Sequence, residues 1–575
     1  MKRNTTTTII NLLAFSLLSS SAQAIVTSTS TATSTISQLT DFASSNQMDF
    51  DSRDPDISKD GSKAVFISTA DLIPGGNPDN IANLYLMNSD GTDLRQLTSA
   101  TLDSTHLTNI PYYTSAPRLS ADGSVVVFAS TNNLTGENAP ILLNDPNFPG
   151  SSYYIPNYQI FIINSDGTGL KQLTKGYDGD AKFPRISADG SIIAFQSTQD
   201  LVGSNSDGTE EIYVIKADGT DLTQITKGDP KPENGANVRS DASRNVSISG
   251  DGTTVAFDSF ADLIPPQNDD FSDEIFVFDL AGYWQDGATT ADLPSYTIQV
   301  TDTDIDAEFH LRAEDSFEPS LSFDGKTIAF SACINPKGEG IGDPNRTILG
   351  DNPYLPDVIF YAEVDAPNRT SGEIVQLTFS DNPEAYADDP NWNNIDDDAH
   401  WPEISDDGRR IVFGTRSRVD IINDGNEYEI AMIDLDAPLG PDGAPVVEQL
   451  TYNTSTTGPY VLQLTFDGTD GARLRPSISA NASKIVMRAD SNFTTGNPDG
   501  NSEIFMIEPN YIRATSNQAT DPNAPTEQVN NSVDNNQPES TSEVTNNNDE
   551  GGVASFGFTE LLLVLLCLGG LKRRR

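Results

Sequence analysis

Residues 184–195 read Pro184-Arg185-Ile186-Ser187-Ala188-Asp189-Gly190-Ser191-Ile192-Ile193-Ala194-Phe195. An Asp-Gly pair between two apolar runs is a strong hairpin signal, because glycine accepts a positive φ at little steric cost. The phrase that leads into the turn is proline, any residue, Ile or Leu, serine, any residue, Asp-Gly. It returns at 55–61, 117–123, 319–325 and 402–408. At 246–252 valine replaces the proline, and at 476–482 Asn481-Ala482 replaces Asp-Gly. The seven copies start 62, 67, 62, 73, 83 and 74 residues apart, and self-similarity of this kind marks a repeat architecture.

Each copy continues alike. After the apolar run comes a polar loop, then a third apolar run such as Glu211-Ile212-Tyr213-Val214 or Glu274-Ile275-Phe276-Val277. Most copies end in Gln-Leu-Thr or a variant: Gln96-Leu97-Thr98, Gln172-Leu173-Thr174, Gln224-Ile225-Thr226, Gln299-Val300-Thr301, Gln376-Leu377-Thr378 and Gln449-Leu450-Thr451. Four short antiparallel strands repeated seven times predict an all-β chain folded as a seven-bladed β-propeller. The seventh copy has no Gln-Leu-Thr after its third run. The missing triplet stands at the other end of the chain, as Gln38-Leu39-Thr40. The count closes if this N-terminal strand joins blade seven and removes its exposed edge.

These repeats resemble the TolB-type propeller family, whose unit carries the same Asp-Gly phrase and strands ending in Phe and in Leu-Thr. The resemblance spans residues 36 to 508. It implies the fold, and little of the function, because this repeat serves binding proteins, peptidase accessory domains and lyases. Blades two and five carry long insertions at 132–157 and 333–356.

The two ends read as addresses. Lys2-Arg3, an apolar stretch at 9–18 and Ala22-Gln23-Ala24 form a signal peptide over residues 1–24, cleaved after Ala24. The propeller is expected over 25–514. Residues 515–550 hold nine Asn, no aromatic residue and no Leu, Ile or Met, a composition that predicts a disordered spacer. The tail, 551–575, consists of Gly551-Gly552, an apolar run at 556–571 and Lys572-Arg573-Arg574-Arg575. That order resembles the GlyGly-CTERM sorting signals of Gram-negative bacteria, which implies processing near Gly551 and Gly552 by an intramembrane protease. A plain C-terminal anchor is the alternative. The apolar run would hold the chain in the membrane, cations inward, until cleavage. The expected location is therefore the periplasm, the outer surface or the medium.

With 34 basic and 84 acidic residues the formal charge is −50, which excludes nucleic acid as a partner because too few cations exist to neutralise phosphates. Two cysteines, Cys333 and Cys567, exclude a disulfide framework or a cysteine zinc site. Three histidines, His106, His310 and His400, leave little material for a triad, and no Gly-x-Ser-x-Gly or His-Glu-x-x-His occurs. No catalytic constellation is found, and no cofactor is required.

Two groups of candidate ligand residues remain. Asp302, Asp304 and Asp306 alternate along a loop and offer the hard oxygens that Ca²⁺ takes, unless they are solvated turn residues. Asp56, Arg118, Arg185, Glu403 and Arg475 flank the repeat proline on the strand expected to line the channel, where they form either a ligand site at its mouth or ion pairs between blades. The sequence therefore reads as an exported propeller that binds a protein, peptide or glycan. The alternatives are a Ca²⁺-dependent adhesion or matrix protein, and a propeller enzyme such as a polysaccharide lyase or hydrolase.

Overall fold

The computed structural model describes residues 27–30, 34–41, 52–100, 114–137, 141–144, 152–155, 157–228, 242–268, 272–302, 316–332, 357–378, 399–415, 429–439, 445–451, 475–489 and 502–510. Seven antiparallel sheets follow one another along the chain. Their first strands are Ser52–Ile57, Thr114–Leu119, Ala181–Ile186, Ser243–Ile248, Ser316–Leu321, Ala399–Ile404 and Ser477–Ile478, which define blades one to seven. Blade three shows the pattern: Ala181–Ile186, Ile192–Ser197, Glu211–Lys216 and Thr223–Gln224, paired in sequence order.

The alternation of strand directions gives the molecule two unlike ends. The Asp-Gly turns and the connections between third and fourth strands lie on one end, the turn face. The loops between second and third strands and the passages to the next blade lie on the other, the loop face. The insertion in blade two carries a hairpin on the loop face, Ile141–Asn144 with Ser152–Ile155. Blade four carries an unanticipated insertion on the turn face, a helix Leu280–Asp286 and a 3-10 turn Thr290–Ser295. Asp279 starts that helix by accepting the Gly282 N–H at 2.9 Å, and Gly287, at φ 61°, ends it.

Side chains between the sheets form the core. Second and third strands meet through buried aromatic pairs in blades one to five: Phe66–Tyr85, Phe128–Phe161, Phe195–Tyr213, Phe257–Phe276 and Phe330–Phe360, stacked at 5.6–6.0 Å. Blades six and seven keep one ring each, Phe413 opposite Ala431 and Phe505 opposite Met487.

The Asp-Gly phrase is explained by a belt of backbone hydrogen bonds from each blade to the next. Asp60 N–H donates to Ala121 O, Ala121 to Ala188, Ala188 to Gly250, Asp251 to Phe323, Phe323 to Asp406, Asp406 to Ala480, and Ala480 back to Lys59, at 2.8–3.1 Å. In blades two, four, five and six the approach crowds any side chain at the glycine. A Cβ on Gly123, at φ 64°, would stand 3.0 Å from the Lys63 side chain and 3.2 Å from Ser58 Cβ. The phrase serine accepts a backbone N–H five residues on, as Ser187 Oγ does from Ile192 at 3.0 Å.

The ring closes through the N-terminal strand. Ser34–Gln38 pairs antiparallel with Glu503–Pro509, Ile36 opposite Ile507 and Gln38 opposite Phe505. Thr40 repeats what the triplet threonine does in other blades: its Oγ1 accepts Ile504 N–H at 2.9 Å and donates to the Glu503 carboxylate, as Thr226 does with Ile212 and Glu211. A further strand, Thr27–Ser30, pairs with the outer edge of Ser34–Gln38, so blade seven has five strands.

Closure is therefore measurable at one side chain. Thr40→Val leaves the Ile504 N–H and the Glu503 carboxylate without that hydroxyl inside the blade, and should cost about 1–3 kcal/mol in urea unfolding. Deleting 25–41 should remove the cooperative transition altogether. Unaltered unfolding of both variants would show that the N-terminal strand does not hold the ring.

Glu211 gives the fold a pH dependence. Burial raises its carboxyl from 4.5 to about 7, against the hydrogen bonds from Thr226 and from Gly228 N–H. The native chain then holds a proton between those values that the unfolded chain has lost. Its contribution is complete below about pH 4.5 and disappears as pH rises through 7, about 3 kcal/mol in all. Blade two already uses glutamine here, Gln159 accepting from Thr174 at 2.6 Å. Glu211→Gln should thus flatten the fall in stability between pH 5 and 7.5, and an unchanged slope would remove Glu211 as its source.

Candidate functional site

The first strands line the channel, and each of the first six is bulged. Register shifts by one residue between Arg53 and Asp56, Ser115 and Arg118, Lys182 and Arg185, Arg244 and Ser247, Phe317 and Ser320, and His400 and Glu403. Within every bulge the residue before the repeat proline, or before Val246 in blade four, has positive φ although none is glycine: Asp54, Ala116, Phe183, Asn245, Glu318 and Trp401, at 49–60°. Such conformations cost of order 1–3 kcal/mol each and persist where surrounding contacts impose them. Here the preceding blade supplies those contacts. Asp258 Oδ1 accepts Glu318 N–H at 3.1 Å, Gln196 Oε1 accepts Asn245 N–H at 2.9 Å, and Glu318 Oε2 accepts Trp401 N–H at 2.8 Å.

The bulge sets the residue after the proline, the second of the phrase, against the next blade. In four blades that residue is an acceptor and clasps a backbone N–H. Ser477 Oγ takes Ile57 at 3.2 Å, Asp56 Oδ2 takes Leu119 at 2.7 Å, Ser247 Oγ takes Leu321 at 3.1 Å, and Ser320 Oγ takes Ile404 at 3.2 Å. Blades two and three place Arg118 and Arg185 at this position. A guanidinium has donors only, so it cannot make the clasp.

The five residues singled out in the sequence lie in one cluster. Arg118 Nε stands 4.0 Å from Asp56 Oδ1, and Arg118 Nη1 donates to Pro117 O at 2.8 Å. Arg475 Nε lies 2.8 Å from Glu403 Oε1. Arg475 precedes its proline whereas the other four follow theirs, so it reaches the cluster from a different position of the phrase. Burial opposes the charge of Glu403, but Arg475, Arg185 and Arg118 outweigh it and hold the carboxyl below its usual range. Arg185 is the exception among the cations: among the described residues it has no hydrogen-bond or ion-pair partner. Burial, then Arg118 and Arg475, push its guanidinium well below the ordinary value, with Glu403 and Asp56 as the opposing charges. An arginine stays protonated in proteins, so Arg185 is a buried cation beside two other cations.

A second polar group lies toward the loop face. His400 Nε2 is 3.1 Å from Asp357 Oδ2 and Nδ1 is 3.9 Å from Glu318 Oε2, with the ring against Phe317 and Trp401. Burial pushes the Glu318 carboxyl up, against the pull of His400. Arg244 is held by Asp258 at 3.0 Å and by Asp273. Sequence reasoning passed over Glu318, Asp357 and Arg244. Aligning the copies two residues upstream of the proline would have shown Arg53, Lys182, Arg244 and His400 in one column.

The acidic loop candidates fare differently. Asp302 is exposed just after the fourth strand of blade four, and Asp304 and Asp306 lie outside the described residues, as do Ala24, Gly551 and Gly552. In the described loops of blades one, three and four the carboxylates turn onto the backbone: Asp71 accepts the N–H groups of Gly75, Gly76 and Asn77, Asp200 that of Asn205, and Asp262 that of Asn268. Among the described residues no group of three or more His, Cys, Asp or Glu is placed to hold a metal ion.

No family model matches the chain, and no curated protein matches it in sequence. Solved structures similar to it include TolB from Acinetobacter baumannii, 15% identical, TM-score 0.32, covering 79% of this chain and 78% of that one. Others are an oligogalacturonate lyase from Vibrio parahaemolyticus, 11% identical, TM-score 0.42, covering 85% and 98%, and the acylaminoacyl peptidase of Pyrococcus horikoshii, 11% identical, TM-score 0.38, covering 80% and 51%. These likenesses are too distant to bring a ligand or an activity with them.

The clasp makes the role of Arg185 testable through stability. Ser247 shows what serine does at this position, so Arg185→Ser should let the new hydroxyl accept Ile248 N–H and remove an uncompensated cation. Unfolding free energy should stay level or rise by about 0.5–1.5 kcal/mol. A loss of about 1 kcal/mol or more would instead make Arg185 a structural link between blades.

Proposed function

We propose that this chain is an exported binding protein that takes part of its ligand into the propeller channel. The observation that carries the reading is the pair of arginines at clasp positions. Four blades spend this residue on holding the next blade, blade six places Glu403 here against Arg475, and blades two and three place cations here, on strands that line the channel. A local departure from a structural rule that the same molecule follows elsewhere is the usual mark of a functional position. The signal peptide at 1–24 and the tail at 551–575 support export, with surface retention or release governed by cleavage near Gly551. The ligand is a protein, peptide or glycan carrying a group small enough to enter between first strands.

One preparation tests both parts. Protein recovered from the cell surface or the medium should have an intact mass that begins at Ile25 and ends near Gly551. Applied to immobilised peptides and glycans, it should retain a ligand that the Arg118→Ser/Arg185→Ser variant binds at least tenfold more weakly. A chain still running from Met1 to Arg575 would defeat the export and processing reading. Equal retention by wild type and variant would defeat the channel reading.

A further inference from the structure

The charges of the channel cluster say what kind of group it takes. We propose that Arg185, with Arg118 and Arg475, holds a single carboxylate of the ligand. This rests on the reading that the ligand enters the channel, and deepens it.

Three cations share the cluster with two carboxylates. Asp56 and Glu403 are already engaged: Asp56 accepts Leu119 N–H at 2.7 Å and Ser477 Oγ–H at 2.7 Å and lies beside Arg118, and Glu403 pairs with Arg475 at 2.8 Å. Among these five residues one positive charge is left over, and it resides on Arg185, the member without a partner among the described residues; Glu318, a further carboxylate that acts on Arg475, faces His400. By blade order, blades six and seven, which carry Glu403 and Arg475, lie across the channel from Arg185 in blade three. A group entering along the axis therefore meets the free guanidinium on one side and Arg475 on the other. A planar guanidinium matches a carboxylate through two parallel N–H···O bonds. The surplus of one charge suits a monoanion, and a phosphate dianion would bring a second negative charge close to Asp56 and Glu403.

The rest of the molecule sharpens the choice. At a net charge of −50 the outer surface repels anions, so non-specific attraction does not deliver one to the channel. An anion that resides there is held by local hydrogen bonds to fixed donors, which is a recognition site rather than an ion atmosphere. Arg95, exposed and paired with Asp93 at 2.6 Å, gives an internal control outside the channel.

The test uses the full exported chain and thermal unfolding at constant ionic strength. Glucuronate and N-acetylglycine each present one carboxylate, on a sugar and on an amide, and inorganic phosphate and sodium chloride are the comparison anions. A saturable rise in Tm with either carboxylate, absent with chloride, is expected by mass action, and the stronger of the two identifies whether the carboxylate belongs to a sugar or a peptide-like ligand. Arg185→Gln should weaken that binding at least tenfold, Arg185→Lys should restore part of it, and Arg95→Gln should leave it unchanged. Phosphate binding more tightly than both carboxylates, or equal carboxylate binding by Arg185→Gln and wild type, overturns the proposal. If no anion exceeds chloride while the double serine variant still loses the ligand found on the arrays, the carboxylate assignment falls and the channel reading stands. If that ligand is retained without the arginines, the channel reading falls, whatever the small carboxylates do.

Discussion

Seven backbone hydrogen bonds, each running from one blade to the next and the last from Ala480 back to Lys59, hold the geometry on which everything else in this molecule depends. They require the Asp-Gly turn of each blade to lie against the serine of the blade before it. That contact crowds a Cβ at Gly123, Gly252, Gly325 and Gly408, to 2.7–3.0 Å from the blade before, and the positive φ disfavours a side chain at these and at Gly61 and Gly190. The belt thus dictates the phrase, the phrase fixes the register of the first strand, and the register brings its second residue to the next blade. Blade seven meets the same demand without glycine, through Ala482 at φ 53°.

How far this was legible follows from which constraints leave a trace in residue type. The belt leaves a strong one, because only a few residues satisfy a tight turn, and so seven blades could be counted from Asp-Gly phrases. The closing strand was legible for a related reason: Gln38-Leu39-Thr40 makes the same contacts as the triplets that end the other blades, including Gln38 Nε2 to Thr40 O at 2.7 Å, as Gln96 Nε2 donates to Thr98 O at 2.8 Å. The bulges were not legible. Asp54, Ala116, Phe183, Asn245, Glu318 and Trp401 share a left-handed backbone and nothing in their chemistry. Their conformation is imposed by pairing with the second strand and, at Ala116, Asn245, Glu318 and Trp401, by acceptors on the preceding blade, partners remote in sequence. The helix at Leu280–Asp286 was missed because a seven-residue segment inside a strand-to-strand connection has too short a period to read.

The candidate site was legible in its members and not in its logic. Arginine is scarce here, which drew attention to Arg118, Arg185 and Arg475. Ion pairs between blades were the competing reading, and two pairs do occur, Arg475 with Glu403 and Arg118 with Asp56. What separates the arginines from structural charges is the clasp at the same position in other blades, visible only once Ser247, Ser320 and Ser477 are seen accepting N–H groups. The channel wall is thus alike in backbone over six blades and uneven in side chain, with Arg118, Arg185 and Glu403 standing where the other blades place the clasp.

The seam at blade seven also orders events in time. Within the other blades the threonine of the fourth strand reaches a backbone N–H only 14 to 26 residues away, so each can assemble as its segment emerges. The equivalent contact in the seventh, Ile504 N–H to Thr40 Oγ1, spans 464 residues. Loop-closure entropy rises slowly with length, but pairing of this separation is late and slow by topology. The first strand made is consequently the last to find its place, and it waits through synthesis of the whole propeller. A chain interrupted between Thr451 and Glu503 presents six local sheets and two unsatisfied edges. Completion of the ring thereby distinguishes finished propellers from truncated ones, and the molecule carries its own check on the seventh blade in the placement of a single strand.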